Sequence, residues 1–164
     1  MIRLFLDSNV LFTAAHNPEG KASLVIELAA ESHWEVVTSA YCLGEARLNL
    51  ERKYPAFLGR LSEMLRAVRL VPDVAGERCE LSLPKKDRPV FAAAQRCKAT
   101  HFLTGDRQHF GPYMNKPKVT MGIVIQTVLT SVILSPGGVA KSDGIAPYSR
   151  KENDPCQRNK IRRY

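Results

Sequence analysis

The chain has 164 residues, a formal net charge of +8, and 45% hydrophobic and 24% charged residues. This length suits one compact unit and excludes a multidomain machine, while the composition is that of a folded globular chain and excludes wholesale disorder. The positive excess fits a polyanionic partner without demanding one, because many enzymes of small substrates carry similar charge.

Arg3–Leu6 is a short apolar run ending at Asp7-Ser8-Asn9, residues of the helix-capping type, with Val10-Leu11-Phe12 directly behind. The pattern predicts strand, cap and helix, and the apolar start is too short for a signal peptide. Pro18-Glu19-Gly20 opens a second helix in which Leu24, Val25, Leu28 and Ala29 recur with helical spacing to about Trp34, and Glu35–Thr38 reads as a second strand. Ser39 caps a third helix to about Lys53, Pro55 starts a fourth carrying Leu58, Leu61, Leu65 and Val68, and Leu70-Val71 forms a short strand before Pro72. Residues 73–86 show no clear pattern. Asp87-Arg88-Pro89 then places an N-cap before a first-turn proline, with Val90, Ala93, Ala94 and Cys97 on one apolar face, and Phe102–Thr104 is a strand that ends at Gly105-Asp106.

Val119 to Ala140 holds no charged residue and has the length of a membrane span. Gln126, five Ser/Thr residues and the Pro136-Gly137-Gly138 break leave only Ile123–Leu134 strongly apolar, which suits a buried strand running into a short helix, so no membrane segment is expected. Residues 135–164 carry seven basic against three acidic side chains, half the net charge, without sustained periodicity. They are read as a basic, flexible extension, dividing the chain into a folded domain over 1–134 and a tail over 135–164. Cys42, Cys79, Cys97 and Cys156 are scattered, with no C-x-x-C pair or zinc-site spacing, so a reduced, cytoplasmic protein is expected.

Strands alternating with helices imply a three-layer α/β/α sandwich around a mainly parallel sheet built from right-handed crossovers. In such sheets ligands bind beyond the carboxyl ends of the strands. Asp7 and Asp106 each end a strand, Asp87 starts the helix leading to the second of them, and Glu45 lies mid-helix at the edge of the face marked by Leu43, Ala46 and Leu50. Each has a plainer reading: Asp7 and Asp87 as caps, Asp106 as a turn residue, Glu45 as a surface charge near Arg47 or Arg52. As a set they point elsewhere, because carboxylates converging on one crevice repel one another unless cations sit between them.

Helix N-termini keep such carboxylates ionised, as a hard divalent metal requires, and an all-oxygen set without a Cys or His cluster favours Mg²⁺ or Mn²⁺ over zinc or iron. Metals about 3.5–4 Å apart activate water and stabilise the leaving oxygen in phosphodiester cleavage. Two rival chemistries lack their residues. Asn9, two positions after Asp7, replaces the general acid of a D-x-D phosphatase, and no glycine-rich nucleotide loop follows a strand.

The run Leu4-Phe5-Leu6-Asp7-Ser8-Asn9-Val10-Leu11, Glu45 in a helix, and Asp87-Arg88-Pro89-Val90 leading to Leu103-Thr104-Gly105-Asp106-Arg107-Gln108-His109-Phe110 resemble the PIN (PilT N-terminus) domain over about Ile2 to Ile125. The resemblance implies a Mg²⁺- or Mn²⁺-dependent endoribonuclease of the virulence-associated protein C kind, the toxin of a toxin–antitoxin pair. It places Asp7, Glu45, Asp87 and Asp106 on the acidic metal-binding positions and Asn9, with Thr104 beside it, in support. It also implies an RNA substrate, a cognate antitoxin and a homodimer. Many members carry a further acid just after the Asp106 position, where this chain has Gln108 and His109, so one metal or two stays open. Arg47, Lys85, Lys86, Arg88 and Arg107 are candidates for the RNA backbone against a plain solvated face. His109 reads as a capping or packing residue beside Phe110, although it could donate to a leaving oxygen. The alternative to the enzyme is a non-catalytic RNA-binding module using the same surface.

Overall fold

The structure is a computed structural model, and it describes residues 1–31, 33–73 and 79–130. The strands are β1 (Arg3–Leu6), β2 (Glu35–Ser39), β3 (Val68–Val71), β4 (His101–Leu103) and β5 (Val124–Gln126). They form one all-parallel sheet in the order β3-β2-β1-β4-β5. Six α-helices accompany them among the described residues: α1 (Ser8–His16), α2 (Lys21–Ala30), α3 (Ala40–Lys53), α4 (Leu58–Met64), α5 (Arg88–Arg96) and α6 (Arg107–Phe110). This is the expected α/β/α sandwich. None of these helices is long and apolar enough to cross a membrane.

The elements follow from their residues. Strands buried on both faces read as continuous apolar runs, as Leu4-Phe5-Leu6 does, with each residue fully inaccessible. Asp7 and Ser39 are extended N-caps whose side chains accept from Ser8 N and Cys42 N respectively. Four phenylalanines pin the later helices to the centre of the sheet. Phe5 and Phe102, opposite each other in the β1/β4 register, stack at 5.5 Å. Phe91 of α5 meets Phe102 edge-on at 6.0 Å, and Phe110 of α6 lies 4.8 Å from it.

Three boundaries differ from the sequence expectation. The second helix stops at Ala30, and Trp34 is buried separately, its indole donating to the Val25 carbonyl at 2.9 Å. The fourth tightens into a 3₁₀ turn at Leu65–Ala67, which frees Val68 to begin β3 opposite Val36, a placement that suits a buried β-branched residue. Thr104 falls just past β4, yet its amide still donates to the Gln126 carbonyl at 3.0 Å. After β5, residues 128–130 form a turn, and the helix expected there, like the boundary at 134/135 and the basic tail, lies outside the described residues.

The strand order positions the site. From β1 the chain runs outward to β2 and β3 on one side, then returns to place β4 and β5 on the other, so the direction of winding reverses between β1 and β4. Such a reversal parts the loops at the carboxyl ends and opens a crevice there. Asp7 directly follows β1, and Thr104, Gly105 and Asp106 directly follow β4.

Candidate metal centre

A hydrogen-bonded bridge ties the two strand ends together. Asp7 is buried, and its Oδ2 accepts from Thr104 Oγ1 at 2.6 Å and from Asn9 Nδ2 at 2.9 Å, while Oδ1 accepts from Ser8 N at 2.7 Å. Asn9 reaches across in the other sense, its Oδ1 accepting from the Gly105 amide at 2.7 Å. A Cβ on residue 105 would stand 3.2 Å from that oxygen, so glycine allows the approach. Thr104 Oγ1 also accepts from the Asp106 amide at 3.0 Å. Asn9 and Thr104, both picked out in the sequence, thus join the residue-7 and residue-106 loops into one unit.

Asp106 caps α6, its Oδ1 accepting from His109 N at 3.0 Å. Its Oδ2 lies 2.7 Å from His109 Nδ1, and the same nitrogen is 3.0 Å from Asp87 Oδ2. Asp87 stands at the start of α5 but does not cap it: its backbone is helical (φ −92°, ψ −18°) and its side chain takes no hydrogen bond from the helix. Pro89 removes one of the amides a cap would serve, and the carboxylate turns toward Asp106 instead. Its Oδ2 is fully buried and takes no hydrogen bond, although His109 Nδ1 stands 3.0 Å away.

Electrostatics mark the same place. Burial raises the Asp7 carboxyl above its ordinary value against the hydrogen bonds from Thr104 and Ser8, and the charges of Asp87 and Glu45 push it the same way. Burial also raises Asp87; Lys86 and His109 oppose this, while Asp106 and Glu45 add to it. For Asp106 burial is outweighed by the hydrogen bonds and charge of His109, with help from the Gln108 amide, and the carboxyl is held below its ordinary value.

Asp87, Asp106 and His109 bring one donor atom each within 4.8 Å of one another and can hold a metal ion. The unpartnered, buried Asp87 oxygen fits that use, since a buried acceptor left without a donor is costly unless a cation meets it. Glu45, half-buried on α3, and Asp7 border this group and act on it through charge. Arg47, Lys85, Lys86, Arg88 and Arg107 are all exposed; Arg88 Nε also donates to the Leu83 carbonyl at 2.8 Å, bracing the turn before Asp87.

Two participants were not singled out for this role in the sequence. His109 uses its main chain for the cap, while its ring lies against two acids; its place three residues after Asp106, neighbours on a helix surface, was the available signal. Tyr41, one turn before Glu45, is exposed, and its phenol is raised by partial desolvation and by the charges of Glu45, Asp87 and Asp7. No local pattern pointed to it.

No family model matches the chain, and no curated protein does. Solved structures do. VapBC2 from Rickettsia felis, bound to a DNA fragment from its promoter, superimposes with a TM-score of 0.55 at 15% identity, covering 77% of this chain and 98% of that one. VapBC-1 from nontypeable Haemophilus influenzae gives 0.49 at 11% identity over 78% and 99% of the two chains. Mycobacterium tuberculosis VapC20, a sarcin–ricin loop cleaving toxin, gives 0.47 at 18% identity over 67% and 95%. At such identities the likeness speaks to architecture, and the near-complete coverage of the Rickettsia felis chain shows that this protein has the VapC-like PIN-domain fold.

Proposed function

We propose that the protein is a divalent-metal-dependent endoribonuclease and the toxin of a toxin–antitoxin pair. The observation that carries this reading is the convergence of Asp7, Asp87 and Asp106 at the winding reversal, with a buried Asp87 oxygen left without a donor. Asp7, Glu45, Asp87 and Asp106 are the residues that would hold Mg²⁺ or Mn²⁺. When bound, the metal supplies an activated water and Lewis-acid stabilisation for phosphodiester hydrolysis.

The protein's own groups do the rest. Asn9 and Thr104 fix the Asp7 carboxylate and keep the two loops in register. Arg47, Lys86, Arg88 and Arg107, all exposed, draw in the RNA backbone and hold a phosphate against the centre. The fold shared with VapBC2 supports an antitoxin partner for this chain, and the reading carries with it a homodimer in the cytoplasm, with the basic 135–164 tail as a further RNA contact.

Cleavage of end-labelled single-stranded and tRNA-like RNAs by the purified protein, with Mg²⁺, Mn²⁺ or EDTA and beside Asp7→Asn, tests this. Metal-dependent cuts that vanish in the variant are the expected result. RNA binding and metal affinity without any cleavage would instead make the chain a non-catalytic RNA-binding module.

A further inference from the structure

Building on the metal centre of that reading, we propose that His109 Nδ1 is a direct ligand of the cation, alongside Asp87 Oδ2 and Asp106 Oδ2. This nitrogen makes the site selective for Mn²⁺, and for later first-row ions such as Co²⁺, over Mg²⁺.

The argument starts from the cap. His109 N donates to Asp106 Oδ1, which sets residue 109 above its own capping carboxylate whatever its side chain. The ring then has a choice of directions, and it places Nδ1 2.7 Å from Asp106 Oδ2 and 3.0 Å from Asp87 Oδ2. One ring nitrogen carries at most one proton, so it cannot give both of these oxygens a full hydrogen bond. Asp106 Oδ2 is the nearer, and Asp87 Oδ2 is left buried and unpartnered. With the proton on Nε2 instead, Nδ1 offers a lone pair beside the two carboxylate oxygens, an arrangement that a bound cation completes. The spacing fits: ligand atoms at right angles around an ion with bonds of about 2.0–2.2 Å stand about 3 Å apart.

The competing assignments are weaker. Packing falls to Phe110, which is fully buried, while His109 keeps part of its ring exposed. Asp7 is poorly placed to replace His109, since its two oxygens already accept from Ser8, Asn9 and Thr104. The ligand set therefore carries an imidazole nitrogen among the carboxylates of that reading.

That set has a chemical preference. Mg²⁺ takes oxygen ligands and sheds water reluctantly. Imidazole is a softer donor, and affinity at a mixed N/O site rises from Mn²⁺ through Co²⁺ and Ni²⁺. An aspartate at position 109 would restore an all-oxygen centre and remove the discrimination.

The test is Mn²⁺ binding by the metal-free full-length chain, followed by electron paramagnetic resonance. Pulsed measurements on the bound ion are expected to show ¹⁴N coupling, replaced by ¹⁵N coupling after ¹⁵N-histidine labelling. Competition is expected to give a Mn²⁺ over Mg²⁺ preference of about tenfold or more. His109→Gln keeps the main-chain cap, and is expected to retain the wild-type circular dichroism, lose the nitrogen coupling and weaken Mn²⁺ binding by about 10–100-fold. His109→Asp is expected to bring the two affinities close together.

Bound Mn²⁺ without nitrogen coupling in the wild type overturns the proposal, as does coupling that survives in a folded His109→Gln. Should that variant not fold, the labelled wild type decides alone. RNA cleavage assayed on the same samples separates the two readings. Nitrogen-coupled Mn²⁺ without cleavage upholds the ligand and defeats the nuclease, whereas cleavage with uncoupled Mn²⁺ does the reverse.

Discussion

The two ends of the sheet handle buried and half-buried charge in opposite ways. At the amino end Glu35 of β2 sits between Arg3 of β1 and Arg69 of β3, with each guanidinium Nε 2.5 Å from one of its oxygens. The hydrogen bond from Arg3, reinforced by Arg69, holds its carboxyl below the ordinary value. Arg3 in turn donates to the Cys97 carbonyl, so every group there has its complement within the chain. At the carboxyl end Asp7, Glu45, Asp87 and Asp106 crowd together, with Lys86 and His109 opposing the rise of Asp87 and His109 holding Asp106 down, and Asp7 and Asp87 stand above their ordinary values. A cluster that closes its own charge balance needs no ligand; one that leaves it open is a candidate site for a cation.

Removing a first acid should expose that contrast most strongly. Asp106→Asn is expected to lower metal-dependent RNA cleavage by more than about a hundredfold, beyond the 10–100-fold typical of residues that only support a metal centre. The α6 cap should survive, because asparagine caps as well as aspartate. Initial-rate assays with circular dichroism as the folding control check this. Retained activity would show that the open end is as self-contained as the closed one.

Thr104 works one step back, as a positioning residue for Asp7. Thr104→Val removes the donor to Asp7 Oδ2 and the acceptor for the Asp106 amide at nearly constant volume. Cleavage is expected to fall by about 10–100-fold, with the loss in kcat rather than KM, and Thr104→Ser should recover most of it. A drop that serine does not rescue would assign Thr104 to core packing alone.

Asp87→Asn sharpens the comparison through stability. In metal-free protein at neutral pH it is expected to be neutral or mildly stabilising, because the folded chain holds that carboxyl above its ordinary value and so disfavours its charge. Added Mn²⁺ at about a hundred times its Kd should stabilise the wild type by about 2.7 kcal/mol, a rise of several degrees in Tm. The variant should lose that rise. Thermal unfolding with and without metal is the measurement.

Much of this arrangement could be read from the chain itself, for a local reason. Asp7, Asn9, Thr104 and Asp106 sit next to strand ends that are continuous apolar runs, so the rule that parallel sheets bind ligands at their carboxyl ends was enough to collect them. Asp87 was found but given the wrong local duty, because whether an N-cap residue caps depends on its backbone angles and not on its type. The contact of the His109 ring with Asp87, like Tyr41, is not legible because the partner comes from another element: Asp87 is 22 positions from His109 in the sequence, and the phenylalanine-packed approach of α5 and α6 brings them together. Val68 was assigned to a helix for a similar reason, since its partner in the sheet, Val36, is distant in sequence.

Glu35→Gln gives the smallest expected effect and the opposite sign. Its carboxyl is held below the ordinary value of 4.5 by Arg3 and Arg69, so its ionised form favours the folded state. That contribution is fully present above the unfolded value and is lost as pH falls through the lowered folded value. Arg69 is half-exposed, and solvent screening limits the loss in the variant to about 1 kcal/mol at neutral pH. The Tm gap between wild type and variant should therefore be constant from about pH 6 to 8, shrink below about pH 4.5 and narrow in high salt. Asp87→Asn should run the other way: any benefit it brings at neutral pH fades as acid protonates the wild-type carboxyl. Parallel pH profiles for the two variants would mean that both ends of the sheet are balanced alike, and the contrast between a closed cluster and an open site would no longer hold.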